Sequence, residues 1–278
     1  MVDTGNDGII NCQAGPDVGG LFVGDVFYYA SMGWDNTNIV GGWDLTKYNA
    51  VTWTSLVDTF FYPLATGKDA GDPMLAVING QIDVSSTYKS DLKASPYKSY
   101  TTHHQFFTAD LQFVSKRVLS DTPHMNLSSL VTAGGVINFV TGTALLGDVI
   151  VMQYDPSWSY LGTMTLKQHS AAPEGAAFDG KRFYVAYVDV SSGTDWPCYM
   201  NVRLAAFDSN WNLLDDIALT SFVPQDHKQP GRPSLTLRNG RIYVCFDENE
   251  DETFTPDENP DTSDYQVHVM VYELTQKP

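Results

Sequence analysis

Apolar and polar residues alternate with a period of two along nearly the whole 278-residue chain, and no stretch sustains the spacing of a helix. The clearest unit lies at residues 172–189, where Pro173-Glu174 leads through Asp179-Gly180 into the run Phe183-Tyr184-Val185-Ala186-Tyr187-Val188. An Asp-Gly pair between alternating apolar runs predicts a β-hairpin with a two-residue turn, because these residues accept the positive φ such a turn needs. The step from proline to turn glycine recurs from Pro73 to Gly80 and from Pro233 to Gly240, with one extra residue from Pro16 to Gly24. Residues 126–139 keep the turn and lose the proline. After each copy comes a second hairpin with a polar turn that often carries Trp or Asp. Residues 149–161 match 202–214, residues 105–113 and 42–48 fill the same slot, and 267–274 is the last, incomplete copy.

Five repeats of four strands predict an all-β chain folded as a five-bladed β-propeller of four-stranded antiparallel blades. One such blade cannot bury both its faces alone, and radial stacking buries them. A two-sheet sandwich is the alternative, and the regular register disfavours it. The blades fall within one domain at about 13–58, 59–120, 121–167, 168–221 and 222–278, with residues 8–12, which include Ile9 and Ile10, closing the last. With strands a to d counted outward from the channel, alternation places the b–c loops and d–a connections on one face. Residues 33–41, 86–103, 190–200 and 249–266 read as long b–c insertions rich in Trp, Tyr, Asp and Ser. A site is therefore expected on that face, over the mouth of the central channel.

Charge narrows the partners. A formal net charge of -17, from 33 acidic and 16 basic residues, argues against nucleic acid and anionic membrane, whose phosphates require clustered Lys and Arg. No run of about 18 apolar residues is present, so no membrane insertion is expected. The first eight residues are polar and acidic, unlike a secretory signal. Few Lys with many Tyr, Trp, Asn, Thr and Gly suggest an exported carbohydrate-handling protein, extracellular or periplasmic, whose signal has been removed. Cys12, Cys198 and Cys245 lack CxxC spacing, which leaves open one bridge or three buried thiols.

The a strands should line the channel, so the residues flanking the repeated proline form a ring: Gly15 and Asp17, Asp72 and Met74, Asn126 and Ser128, Ala172 and Glu174, Arg232 and Ser234. Carboxylates gathered in a cleft are what glycosidic cleavage needs, one protonated to serve the leaving oxygen and one ionised to activate water or attack carbon. Glu174, among Ala171, Ala172, Ala176 and Ala177, has apolar neighbours that favour its protonated form; pairing with Arg232 or Lys181 is the structural alternative. Arg232 and Asn126 are candidate substrate contacts. Trp34, Trp196 and Tyr199, with Tyr88, Tyr97 and Tyr100, offer faces on which sugar rings stack.

Glu174-Gly175-Ala176 followed by Phe178-Asp179-Gly180-Lys181-Arg182-Phe183-Tyr184-Val185 resembles the general-acid blade of the arabinanase/β-xylosidase-like glycoside hydrolases, and Pro16-Asp17-Val18 with residues 24–29 resembles their first blade. The resemblance implies a five-bladed propeller, Glu174 as acid, a first-blade aspartate as base and a third aspartate tuning the acid. That family's base immediately precedes the proline, where this chain has Gly15, while Asp17 follows it. Asp72 of Asp72-Pro73 has the expected form in the second blade, and the third blade offers Asn126 and Ser128. Asp17 and Asp72 are thus both candidates for the base.

Metal ligation is a second possibility. His124, His169 and His227 precede three successive a strands, and His103-His104 closes the second-blade loop, so several could converge with Asp on Zn²⁺ or Cu²⁺. In the segment opened by Asp247, Asn249 and Asp251, oxygen-bearing residues alternate, with Glu258 twelfth, as in a calcium loop; Glu252 stands where that loop needs glycine. Hard oxygen ligands make Ca²⁺ the cation expected there. No serine-hydrolase, phosphate-loop or dinucleotide signature occurs, and no organic cofactor is expected. The alternative to a hydrolase is a non-catalytic, lectin-like or metal-binding propeller, or a surface interaction module.

Overall fold

The computed structural model describes residues 18–35, 40–61, 73–89, 100–122, 128–143, 147–168, 170–189, 201–223, 229–230, 233–249 and 265–274. They form an all-β five-bladed propeller with no helix among them. The first sheet holds β1 (Val18–Val23), β2 (Val26–Asp35), β3 (Val40–Asn49) and β4 (Ser55–Phe61) in that order. The second holds β5 (Met74–Ile78), β6 (Gln81–Lys89), β7 (Tyr100–Phe107) and β8 (Phe113–Thr122). The third holds β9 (Ser128–Ala133), β10 (Val136–Gly142), β11 (Val149–Tyr154) and β12 (Tyr160–Lys167). The fourth holds β13 (Ser170–Phe178), β14 (Phe183–Asp189), β15 (Asn201–Phe207) and β16 (Leu213–Ala218). In the fifth, β17 (Gln229–Pro230) and β18 (Ser234–Arg238) pair with successive stretches of β19 (Arg241–Asn249), and β20 (Tyr265–Glu273) pairs with β19 along its whole length.

The chain divides into two compact units, one of Met1–Gly15, Ala144–Ile150 and Met164–Pro278, the other of Pro16–Thr143 and Val151–Thr163. In the second, Tyr28, Ala30, Trp43 and Leu45 pack against Leu75, Ile82, Val84, Phe107 and Leu111. In the first, Tyr184, Ala186, Val202 and Leu204 pack against Ile242, Val244 and Phe246, with Met270 and Tyr272 beside them. Both cores are built from alternate residues of neighbouring sheets, as a strand with apolar residues on both faces requires.

Turn chemistry follows the repeats. Asn79-Gly80, Gly134-Gly135 and Asn239-Gly240 have positive φ at both positions, as two-residue turns between right-twisted strands require. The expected two-residue turn at Asp179-Gly180 is instead a four-residue loop between the paired Phe178 and Phe183. There the Asp179 carboxylate accepts the backbone N–H groups of Lys181 and Arg182, both at 2.7 Å. Burial opposes ionisation of Asp179, but these N–H groups outweigh it and hold its carboxyl below the usual range.

The outer hairpins share a capped turn. Asp155 Oδ1 accepts the N–H groups of Ser157 and Ser159, and Asp208 Oδ1 those of Asn210 and Asn212. Thr108 Oγ1 does the same for Asp110 and Gln112. In each turn a large apolar residue, Trp158, Trp211 or Leu111, takes positive φ and is buried. The hydrogen bonds fix a backbone strain that burial of the side chain offsets.

Three expected long loops are shorter than their sequence suggests. Residues 33–35 pair with 40–42, residues 86–89 with 100–103, and residues 248–249 with 265–266. Residues 190–200, the fourth expected insertion, and residues 8–12 lie outside the described residues. The glycines of the first of these ends and the polar residues of the other two obscured the continuing ladder, which depends on backbone groups and not on side-chain polarity.

Candidate functional site

The innermost strands are irregular at the repeated proline. In β13, Ala171 pairs with Val188 and Gly175 with Ala186, so Ala172, Pro173 and Glu174 stand opposite the single residue Tyr187. In the fifth sheet Pro230 pairs with Glu248 and Ser234 with Cys245, and the gap between β17 and β18 contains Pro233. β5 begins at Met74, directly after Pro73. Proline has no N–H to give the ladder, so pairing stops or bulges there, and a bulge re-aims the residues it contains. Glu174, placed by its strand register, therefore lies inside an irregular segment of an otherwise regular blade.

Gly175, next in the chain, is fixed by packing. A Cβ there would meet Leu235 N at 2.4 Å, Leu235 Cβ at 2.5 Å and the Ser234 carbonyl carbon at 2.9 Å. Gly19 is constrained in the same way in β1, where a Cβ would meet Pro73 O at 2.1 Å. The Glu-Gly pair thus joins a residue freed from the ladder to one that only glycine can fill.

The strand opposite this segment is clamped from behind. Tyr187 is 2% exposed, and its hydroxyl donates to Asp216 Oδ2 at 2.9 Å. Asp216 also accepts Arg203 Nε at 3.0 Å and the Lys167 ammonium. Burial pushes the Tyr187 hydroxyl pKa up, with the Asp216 charge adding to it. Burial also works against ionised Asp216, but Lys167, Arg203 and Tyr187 outweigh it and keep its carboxyl below the usual range.

A second polar cluster was missed by sequence reasoning. Ser85, Asp83 and His104 are fully buried. His104 Nδ1 lies 2.8 Å from Asp83 Oδ2 and 2.7 Å from Ser85 Oγ, and the Ser85 hydroxyl donates to Asp83 Oδ2 at 2.8 Å. A nucleophilic serine needs its histidine to take its proton on one ring nitrogen while the carboxylate holds the other. Here serine and aspartate share Nδ1, and Trp158 covers the imidazole at a ring-centroid distance of 4.0 Å. The cluster is scaffold. Its sequence signal was Asp83 and Ser85 two residues apart in an apolar strand, hence on one face. Its partner became visible only with the Ser85–His104 register. The histidines expected to close a loop, His103 and His104, are instead paired residues inside β7.

Among the other expected site residues, Trp34 pairs with Gly41 near the end of β2, and Tyr88 pairs with Thr101. Asp247 and Asn249 are paired residues of β19, so the acidic segment begins within a strand. Asp17, Asp72, Asn126, Arg232, Trp196, Tyr199, His124, His169, His227 and Asp251 lie outside the described residues. Among the described residues, no three His, Cys, Asp or Glu side chains gather in a way that could hold a metal ion.

No protein-family model matches the sequence, and no curated protein matches it. Solved structures do match its fold. An exo-β-1,3-galactanase from Clostridium thermocellum aligns over 98% of this chain with a TM-score of 0.62 and 12% identity. The chain spans about three fifths of that enzyme's length, 61%. A GH43 β-1,3-galactosidase solved with galactodeoxynojirimycin aligns over 88% of both chains (TM-score 0.59, 11% identity). A GH43 endo-arabinanase from Bacillus licheniformis aligns over 92% of this chain and 93% of its own (TM-score 0.51, 9% identity). In fold the chain resembles these five-bladed glycoside hydrolases.

Proposed function

We propose that the chain is a carbohydrate-active propeller that cleaves glycosidic bonds by acid/base catalysis, with Glu174 as the general acid and Asp17 or Asp72 as the base. The reading rests on one observation: the pairing of β13 with β14 shifts register between Ala171 and Gly175, around Pro173, which leaves Glu174 out of the regular ladder on a fold shared with glycoside hydrolases. Its alanine neighbours in the sequence favour a neutral carboxyl that can protonate a leaving oxygen, while an ionised aspartate activates water. Arg232 and Asn126 would orient the sugar, and Trp34, Trp196 and Tyr199 would stack on it. Export to an extracellular or periplasmic compartment agrees with the composition. Calcium on Asp247, Asn249 and Asp251, or another divalent cation on His124, His169 and His227, would brace loops and takes no step in the reaction.

One observation favours a second reading, lectin-like binding without hydrolysis. Where the resemblance calls for a further carboxylate, the third blade has Asn126 and Ser128. Incubating the protein with arabinan, xylan and β-1,3-galactan, while following both reducing-end release and affinity, separates the two. Hydrolysis predicts release that Glu174→Gln abolishes. Saturable binding with no release from any glycan would support the lectin reading instead.

A further inference from the structure

The outer hairpin of the first sheet departs from the three capped turns of the other sheets. Its turn, between the paired Tyr48 and Ser55, spans residues 49–54, one residue more than 108–112 or 208–212. Asn49 Oδ1 accepts the N–H groups of Val51 and Thr52, at 2.9 and 3.0 Å, whereas Asp208 Oδ1 accepts those of the second and fourth residues after it. The extra residue puts Trp53 fourth after the cap, where Trp158 and Trp211 are third. Its φ of 55° is positive like theirs, yet it is 39% exposed against 6% for each of them.

The fourth sheet supplies a direct comparison. Phe22 and Phe27 pair beside the Trp53 turn as Phe178 and Phe183 pair beside the Trp211 turn, and in both pairs the ring centroids are 4.6 Å apart. Trp211 lies flat on Phe183, 4.0 Å away at 10°. Trp53 instead stands at 66° to Phe27 and 83° to Phe22, with centroids at 5.7 and 6.3 Å, and lies flat on neither. Where the other turns offset a strained backbone by burying the indole, this one leaves the indole in water. Such an outlier points to a use for the side chain.

We infer that Trp53 is the platform of a second glycan-binding site, at the end of the first sheet away from Asp35 and Val40 and so apart from the site expected at the channel mouth. The inference rests on the carbohydrate reading above and adds a site to it. A sugar ring presents weakly positive C–H hydrogens to the negative face of an indole and hydroxyls at its rim. Thr52 and Thr54 flank Trp53 with hydroxyls 2.9 Å apart that can both donate and accept. Ala50 N–H donates to Asp25 O at 2.8 Å, which joins this turn to the β1–β2 turn, where Val23 is exposed as Val51 is here. Val23, Val51 and Trp53 make a patch on the scale of one or two sugar rings, far short of the 20 to 30 residues a side of a stable protein interface. The net charge of -17 favours a neutral ligand over an anion.

The six tryptophans make indole N–H nuclear magnetic resonance of the intact chain a direct test. The signal lost in Trp53→Phe identifies Trp53. Titration with oligosaccharides of arabinan, xylan and β-1,3-galactan should shift that signal saturably with at least one of them, in the wild type and in Glu174→Gln alike. Retardation of Trp53→Ala in gels containing the matching polysaccharide should report an affinity about tenfold weaker, the scale of one lost aromatic contact. Saturable shifts confined to other tryptophans would overturn the inference and leave the carbohydrate reading standing. If no indole responds to any glycan the inference fails, and the hydrolysis assay then judges the carbohydrate reading separately. A Trp53 signal that moves with protein concentration and not with sugar would also overturn it, assigning the patch to a second copy of the chain. If Trp53→Ala does not fold, the wild-type titration decides alone.

Discussion

The buried Asp83–Ser85–His104 cluster leaves His104 Nε2 and Asp83 Oδ1 without a hydrogen-bond partner among the described residues, so each remaining contact matters. Removing the imidazole would leave the fully buried Asp83 without its histidine partner, and His104→Ala should cost about 3–5 kcal/mol in denaturant unfolding. Ser85→Ala should cost about 1–2 kcal/mol and leave glycan hydrolysis unchanged, because Ser85 holds a scaffold and attacks nothing. Asp216 gives a pH signature. Its folded carboxyl titrates below the unfolded value of about 3.9, so its stabilisation is complete above that value and is lost as pH falls through the folded one. Acid titration followed by circular dichroism should therefore show a shallower acid limb in Asp216→Asn, on a lower stability plateau at neutral pH. At the other extreme, Tyr154 is pushed up to about 12 by burial and by Tyr160, so its contribution should fade as pH rises from about 10 towards 12.

Strands and turns were the most legible elements. Period-two alternation located the outer strands, such as β4 and β12, because only one of their faces is covered, while nearly continuous apolar runs such as Phe183–Val188 marked the strands buried on both, and turn glycines marked where φ becomes positive. What misled was polarity at strand ends: Gly33, Trp34 and residues 86–89 read as loop, yet their backbones continue the ladders. The Asp179-Gly180 turn misled for a related reason, since a side chain that accepts two backbone N–H groups stabilises a longer loop than the dipeptide suggests. Gly175 makes the element-scale prediction. Its Cβ would strike backbone and Cβ atoms of β18, which cannot swing away, so Gly175→Ala should destabilise by about 1–3 kcal/mol or more in thermal or denaturant melts. Gly162, with open space around it, should accept alanine with little change.

For the whole molecule, the five-fold repeat made the propeller legible, because each blade repeats one packing problem with one solution. The candidate site was legible only in outline. Pro173 belongs to the repeat that made the blades legible and also lies where the pairing of β13 shifts, so the same signal marks the scaffold and the irregular segment that holds Glu174. Sequence spacing cannot give distances between carboxylates carried on separate blades. Leaving-group dependence tests the roles without those distances. On a glycan shown to be cleaved, Glu174→Gln should lose about 10²–10⁴-fold in kcat/KM, whereas on a 2,4-dinitrophenyl glycoside of the same sugar, whose leaving group needs no proton, it should retain near wild-type activity. Equal losses on both substrates, or none on either, would contradict Glu174 as the general acid.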